Sequence, residues 1–283
     1  MTESGSDTFR SSRGATIFEQ WWWPGGEPRA VLAICHGYAE HSGRYAQVAA
    51  DLNARGYAVE ALDLRGHGRS SGPRVYVRSY DEFLDDLDGF LSRVRARHPG
   101  KKLFLLGHSM GGGIVTYYVI AREPALDGLL LSGAGLQVRQ MKVPLKRRLQ
   151  MFAGRFSSRV RFPGQLAAAA ISRDPEVVAN YDSDPLVYRG GGSAGMAAAR
   201  IPAARRTAAE MESVHLPLLI MHGTGDQLVP TAGSEALFAR ASSTDKTLKL
   251  YEGLYHEILN EPERDQVIAD IAAWLDQRTG GSK

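Results

Sequence analysis

The 283-residue sequence has little cysteine, no long apolar segment and no large excess of charge. Its single cysteine, Cys35, cannot form a disulfide within the chain, and its position in an apolar run predicts a buried side chain. No stretch approaches the ~18 consecutive apolar residues of a membrane-spanning helix. The first fifteen residues are polar and rich in glycine and serine, so we expect a soluble, cytoplasmic protein with a frayed N-terminus.

Charge and motif content also exclude several classes of function. Lysine and arginine number 34 and aspartate and glutamate 31, and the resulting formal charge of +3 does not predict general nucleic-acid binding. There is no Walker loop and no His or Cys pairing at metal-ligand spacing, so we expect no cofactor and no metal site. The glycine-punctuated segment 63–70 lacks the third glycine of a dinucleotide loop, and we assign it a scaffolding role.

Apolar runs of strand length alternate with segments of helical periodicity. This alternation predicts an α/β protein with a mostly parallel central sheet flanked by helices. The predicted strands are 30–35, 57–64, 102–106, 128–131, 216–221 and 247–251, preceded by an edge strand at 16–23. The predicted helices are 45–55, 79–97, 112–123, 234–241 and 262–277.

The alternation stops after Gly133 and resumes only near Leu216. The intervening segment of about eighty residues is rich in arginine and alanine, and it is too long for a simple connection. We interpret residues 136–213 as an inserted cap, between core segments 1–135 and 214–283. Ligands of open α/β sheets bind at the carboxyl ends of the strands, so a cap above that edge would exclude water from the site.

A candidate nucleophile lies in the segment Gly-His-Ser-Met-Gly at 107–111, between a predicted strand and a predicted helix. A strand-to-helix turn crowds the backbone on both sides of Ser109, and glycine tolerates this crowding because it has no Cβ atom. The turn would present the Ser109 hydroxyl at the carboxyl end of the strand. The Met110 amide, at the start of the helix, would point at the oxygen of the group that Ser109 attacks.

A serine nucleophile needs a base to accept its proton and a carboxylate to orient that base. In this architecture the acid follows a later strand and the histidine the strand after that, which selects Asp226 and His256. His222 is a weaker alternative for the base because it precedes the acid, and His108 adjoins Ser109 too closely to turn back on it. The weaker alternatives for the acid are Asp182, Asp184, Asp245 and Glu252.

The oxyanion of an acyl-transfer reaction needs a second amide donor, usually from the loop after an early strand. The segment His36-Gly37-Tyr38 follows the predicted strand 30–35, and its glycine permits the loop to fold toward Ser109. We therefore predict that the Tyr38 amide pairs with that of Met110. In this interpretation His36 is a structural histidine.

With these residues assembled, the sequence closely resembles the bacterial monoacylglycerol lipases of the serine α/β-hydrolase superfamily. The resemblance covers nearly the whole chain, including the segment 171–177 of the cap, and cap sequences differ strongly among related hydrolases. The matching segments are 36–45, 63–70, 107–112, 171–177, the turn at Asp226, 255–257 and 260–263.

The resemblance implies an α/β-hydrolase fold and hydrolysis of a monoacylglycerol, a lipid substrate, to glycerol and a free fatty acid. It also implies that Glu40 and Arg44 lie near the glycerol head group. The sequence departs from the family at Tyr38, where relatives commonly have a smaller residue. A Tyr38 side chain that faced the site would narrow the part that holds the alcohol group of the ester. The alternatives are a broader carboxylesterase or lysophospholipase with the same triad, and a catalytically silent binding protein.

The cap contains a cationic segment with an apolar stripe. Residues 136–162 include no acid, and their basic residues are Arg139, Lys142, Lys146, Arg147, Arg148, Arg155, Arg159 and Arg161. Leu145, Leu149, Phe152 and Phe156 have the spacing of one helical face, although Gly154 interrupts it before the last. One interpretation packs this stripe on the sheet domain. The other places the cap on an anionic membrane, from which it would receive lipid substrate.

Overall fold

The computed structural model describes residues 3–136 and 144–280, and a single sheet forms its centre. The strands are β1 Glu3–Arg10, β2 Thr16–Trp23, β3 Val31–Cys35, β4 Ala58–Leu62, β5 Leu103–His108, β6 Gly128–Ser132, β7 Leu218–Gly223 and β8 Lys246–Tyr251. Their order in the sheet is β1-β2-β4-β3-β5-β6-β7-β8. Strands β3 to β8 run parallel, and β1 and β2 pair antiparallel. The predicted α/β class is confirmed.

Helices lie between the parallel strands along the chain, and one more follows the last strand. They are α1 Ala46–Asn53, α2 Asp81–Arg97, α3 Met110–Arg122, α4 Leu145–Gly154, α5 Pro175–Ser183, α6 Ala194–Ala209, α7 Ala232–Arg240 and α8 Arg264–Thr279. Every boundary predicted for a strand or helix of the core lies within two residues of the observed one. Local hydrophobic periodicity is therefore sufficient to locate these elements.

Both faces of the sheet are buried along the central strands β3 to β7. In β3, Val31, Ala33 and Cys35 face one apolar cluster, whereas Leu32 and Ile34 face another on the opposite side. This is the period-2 alternation of a strand covered by helices on both faces. Cys35 is fully buried, as predicted, and burial raises the pKa of its thiol.

The N-terminal prediction is wrong for the residues described. Residues 3–10 are not frayed; they form β1, which pairs with β2 along its whole length. Strand β2 has the predicted bounds but is not an edge strand, because it lies between β1 and β4. The sequence conceals β1 because most of its side chains are exposed, so it lacks an alternating apolar face. Two contacts attach β1 to the rest of the protein: Phe9 packs on the core, and Asp7 forms an ion pair with Arg93.

Between β6 and β7 the chain forms α4, α5 and α6, in the segment interpreted as a cap. Helix α6 packs against both α3 and α4. Gly154 at the end of α4 permits this close approach, because a Cβ there would lie 2.6 Å from the Gly195 amide nitrogen. Arg139 and Lys142 lie outside the described residues.

The apolar stripe of the cap does not pack against the sheet domain, and that interpretation is wrong. Leu145, Leu149, Phe152 and Phe156 are between 62% and 77% exposed. Helix α4 ends at Gly154, so Phe156 lies just beyond it, with its ring 5.5 Å from that of Phe152. Among the helices of residues 3–136 and 144–280, none is both long and apolar enough to cross a bilayer.

The segment 63–70 is a scaffold, as predicted. The Asp63 carboxylate accepts hydrogen bonds from the Ser42 amide at 2.8 Å and from the Arg69 amide at 2.7 Å. The Leu64 amide donates to His36 Nε2 at 2.9 Å, and His36 Nδ1 donates to the Gly37 carbonyl at 2.8 Å. These bonds tie the loop after β4 to the loop after β3, which passes beside Ser109.

Candidate active site

Ser109 occupies the tight turn between β5 and α3. Its φ of 53° and ψ of −118° lie in a region that side chains other than glycine rarely adopt. A Cβ on Gly111 would overlap the carbonyl oxygens of Cys35 and His36, because the start of α3 presses against the end of β3. The Ser109 amide donates to the Ser132 carbonyl at 2.9 Å, which ties the turn to β6. The strained turn directs the hydroxyl into a cavity.

The structure brings Ser109, His256 and Asp226 into one hydrogen-bonded series. The Ser109 hydroxyl donates to His256 Nε2 at 2.8 Å, and His256 Nδ1 donates to Asp226 Oδ2 at 2.6 Å. Asp226 follows β7 and His256 follows β8, so three parallel strands deliver the three side chains to one edge of the sheet. This geometry suits transfer of the serine proton to the imidazole.

The surroundings of Asp226 keep it ionised. Its Oδ1 atom accepts hydrogen bonds from the Leu228 and Val229 amides at 2.8 and 2.9 Å. Burial opposes the charge, but hydrogen bonds from His222 and His256 hold the pKa of the Asp226 carboxyl well below its usual value. A carboxylate charged at neutral pH stabilises an imidazolium at His256.

Two backbone amides close to Ser109 have no hydrogen-bond partner of their own among the described residues. Met110 is the first residue of α3, so its amide has no carbonyl partner within the helix. The Gly37 amide donates to Glu40 Oε1 at 2.6 Å, and a Cβ on Gly37 would lie 3.1 Å from Ser109 Cβ. This contact brings the next residue, Tyr38, beside Ser109. Within the described ranges neither the Tyr38 nor the Met110 amide donates to another protein group.

The Ser109 hydroxyl and the His256 ring open into a cavity of about 330 Å³ with a mostly apolar wall. The lining residues are Gly37, Tyr38, Glu40, His108, Ser109, Met110, Gly135, Phe162, Leu166, Tyr181, Gly192, Ser193, Met196, Ala197, Arg200, Leu228, Val229, His256 and Glu257. Tyr38 is therefore part of the cavity wall. Among the residues described, the buried hydroxyls of Tyr38 and Tyr181 have no hydrogen-bond partner. Burial raises the pKa of Tyr38 to about 12, so its hydroxyl stays protonated.

A buried charge network adjoins one part of the cavity. Arg44 donates to both oxygens of Glu257 at 2.6 and 2.7 Å and to Glu40 Oε2 at 3.0 Å. Its guanidinium also lies 4.9 Å from the centre of the Tyr181 ring. Burial opposes ionisation of Glu257, but Arg44 holds the pKa of that carboxyl below its usual value. Sequence reasoning missed the contribution of Glu257, whose signals were its position next to His256 and its place in the matching segment 255–257.

The alternative residues lie elsewhere. His222 bonds to Asp226 and not to Ser109. The His108 ring lies 4.9 Å from the His256 ring, but its Nδ1 atom pairs with Ser132 Oγ at 3.2 Å. Among the alternative acids, Asp184 pairs with His41, Asp245 pairs with Arg278, and Asp182 and Glu252 are exposed. No group of three or more His, Cys, Asp or Glu side chains suited to a metal ion occurs in the described part of the chain.

Comparison with known proteins gives concordant results. The family described as serine aminopeptidase, S33, matches residues 26–263. A monoacylglycerol lipase from Mycolicibacterium smegmatis is 40% identical over 268 residues, 95% of either chain. The monoglyceride lipase of Homo sapiens is 33% identical, over 94% of this chain and 88% of that one. The crystal structure of Paleococcus ferrophilus monoacylglycerol lipase has a TM-score of 0.81 at 30% identity, covering 93% of this chain and 99% of that one. The predicted α/β-hydrolase fold is confirmed.

Proposed function

This chain belongs to the monoacylglycerol lipase family of serine hydrolases, and we propose that it cleaves the ester bond of monoacylglycerols. The products would be glycerol and a free fatty acid. One observation carries the proposal: Ser109 and His256, bonded in series with Asp226, line a cavity whose wall is mostly apolar but includes the acidic residues Glu40 and Glu257. Such a cavity suits an amphiphile with one acyl chain and a small polyol.

In the proposed mechanism Ser109 attacks the ester carbonyl while His256 accepts its proton. The amides of Tyr38 and Met110 stabilise the tetrahedral oxyanion. His256 then protonates the leaving glyceryl oxygen, which leaves an acyl group on Ser109. A water molecule, deprotonated by His256, hydrolyses this acyl-enzyme, and Asp226 holds the imidazole in the required tautomer throughout.

We also propose that Glu40 and Arg44 define the end of the cavity that holds the glycerol head group. Glu40 lines the cavity directly, whereas Arg44 would act through Glu257 and Tyr181, which it contacts. A Tyr38 ring that faces the cavity would narrow this end.

Residues 136–213 would act as a cap that controls access from a membrane. The exposed stripe on α4 is flanked by exposed basic side chains, including Lys146, Arg148 and Arg155. Large apolar side chains rarely cluster on a surface without a partner. Because the neighbouring charges are all positive, the partner we propose is an anionic lipid surface.

A second candidate function is that of a broader carboxylesterase or lysophospholipase. The observation that favours it is Arg200, which lines the cavity and donates to the Gly135 carbonyl at 2.9 Å. Within residues 3–136 and 144–280 Arg200 forms no ion pair with a carboxylate. A cation in this position would favour a substrate that bears a phosphate group.

A substrate panel tests the proposal. The measured quantity is kcat/KM for monooleoylglycerol, for a lysophosphatidylcholine with the same acyl chain, and for a short soluble ester. We expect the highest value for monooleoylglycerol, with the Ser109→Ala protein as the background control. Faster cleavage of the lysophospholipid or of the short ester would favour the second candidate. Absence of both hydrolysis and fluorophosphonate labelling at Ser109 would indicate a silent binding protein.

A further inference from the structure

His222, at the end of β7, contacts the candidate acid directly although the proposed mechanism assigns it no role. Its side chain is fully buried. The Nε2 atom lies 3.1 Å from Asp226 Oδ2 and 3.0 Å from the Val229 carbonyl oxygen. The Nδ1 atom lies 2.8 Å from the Ser234 hydroxyl, on α7. Both ring nitrogens are thus engaged.

These partners determine the tautomer of His222. A carbonyl oxygen and a carboxylate oxygen can only accept hydrogen bonds, so Nε2 must carry a proton. In the neutral ring Nδ1 is then an acceptor, and the Ser234 hydroxyl donates to it. The Nε2–H group is shared between Asp226 and Val229, which lie in the same loop.

The Asp226 carboxylate consequently has four donors. Its Oδ1 atom takes the two amides of Leu228 and Val229, and its Oδ2 atom takes His256 Nδ1–H and His222 Nε2–H. Donors on both oxygens prevent rotation of the carboxylate about its Cβ–Cγ bond. The second donor on Oδ2 also withdraws negative charge from the atom that faces His256.

We propose that His222 is a positioning residue for the Ser109–His256–Asp226 series: it holds Asp226 Oδ2 in line with His256 Nδ1 and limits the basicity of that oxygen. This inference rests on the proposed hydrolase function. A residue that acts through the acid would change turnover and its pH dependence, whereas a residue that only joins β7 to α7 would change stability alone.

The experiment compares His222→Gln with His222→Asn in the full-length protein. The glutamine amide nitrogen reaches the position of Nε2, whereas the asparagine amide nitrogen reaches only that of Nδ1. The two substitutions therefore introduce the same chemical group and differ in its contact with Asp226. The readouts are kcat and KM for a soluble p-nitrophenyl ester, the pH profile of kcat/KM, and Tm.

We expect His222→Gln to stay within about twofold of the wild-type kcat and His222→Asn to lose about tenfold, with little change in KM. Without the His222 donor, Oδ2 attracts the His256 imidazolium more strongly, so the acidic limb of the profile should move up by about half a pH unit in His222→Asn. His108, on β5, is the other ionisable residue whose ring packs against that of His256. The hydrogen bonds of His222 go to Asp226, Val229 and Ser234 and not to His108. Glu257, the next residue, is paired with Arg44.

Equal kcat values and unshifted pH profiles for the two variants would overturn the proposal. A measurement on the wild type covers the case in which a variant fails to fold. Nitrogen NMR of histidine-labelled protein should show His222 as the Nε2–H tautomer, and an Nδ1–H tautomer would overturn the proposal. Ester hydrolysis by the wild type separates this test from the test of the proposed function. If the wild type hydrolyses no ester, the proposed function itself fails. If both His222 variants are active with the same pH profile as the wild type, only the role of His222 is refuted.

Discussion

At the scale of single residues, the candidate site depends on one strained backbone conformation. Ser109 carries a side chain although its backbone lies in a region that favours glycine, and a Cβ on the neighbouring Gly107 or Gly111 would overlap other atoms. Strain of this kind costs about 1–3 kcal/mol and persists where the surrounding structure imposes it. Here the close packing of α3 on β3 imposes it.

Replacement of Ser109 by alanine should reduce kcat by a factor on the order of 10⁶, because no other side chain can form the acyl-enzyme. The measurements are hydrolysis of monooleoylglycerol and labelling by a fluorophosphonate probe, with Tm as the control for folding. Substantial residual turnover in a folded Ser109→Ala protein would place the nucleophile elsewhere.

Replacement of Ser109 by glycine should remove the backbone strain as well as the hydroxyl. We expect Ser109→Gly to exceed Ser109→Ala in free energy of unfolding by about 1 kcal/mol, since alanine retains the Cβ atom in an unfavourable conformation. Urea unfolding of the two inactive variants measures this difference. A glycine variant less stable than the alanine variant would show that Ser109 is not strained.

At the scale of secondary-structure elements, α4 departs most from what a sequence pattern implies. An amphipathic helix in a globular protein normally buries its apolar stripe. Helix α4 instead uses Gly154 for contact with α6 and leaves Leu149 and Phe152 exposed. This arrangement is the basis for the proposed contact with a lipid surface.

The double substitution Leu149→Ser and Phe152→Ser should reduce binding to anionic vesicles by a factor on the order of 100 or more, because each apolar side chain contributes about 1.5–3 kcal/mol when buried. Cosedimentation with phosphatidylserine vesicles measures the change, and hydrolysis of a short soluble ester should be unaffected. The matched control is Leu250→Ser, an exposed leucine on β8. Wild-type binding that is absent or insensitive to salt would contradict a role for the cationic cap.

At the scale of the whole molecule, three buried histidines make the fold sensitive to acid. Burial lowers the pKa of His36 and His108 from 6.5 to about 4 and that of His67 to about 3. The unfolded chain binds these protons near pH 6.5, whereas the folded protein does not. Stability is therefore complete above pH 6.5 and is lost as the pH falls toward 4.

The free energy of unfolding should fall by about 1 kcal/mol per pH unit for each of these histidines within that window. Urea unfolding at several pH values between 6.5 and 4 measures the slope. His67→Gln is the control, because it removes one titrating group and should reduce the slope by about a third. A free energy that stays constant across the window would contradict the buried neutral state of these residues.

Much of the fold and part of the candidate site could be predicted from the sequence. Strand and helix positions follow from local hydrophobic periodicity, and β2 has the bounds predicted for it. The strand-to-helix turn at Ser109 and the positions of Asp226 and His256 after later strands follow from chain order. Parallel strands place their carboxyl ends at one edge, so chain order implies proximity there.

The tertiary structure alone decided the features that depend on contacts between distant segments. The pairing of β1 with β2, the bonds from Arg44 to Glu257 and the exposure of the α4 stripe are examples. Likewise, the sequence places His222 at a strand end, but only the fold shows that it bonds to Asp226. Periodicity reports which side of an element is apolar, not what covers that side. Burial and hydrogen bonding depend on the position of the whole chain, so the roles of these residues emerge only in the assembled fold.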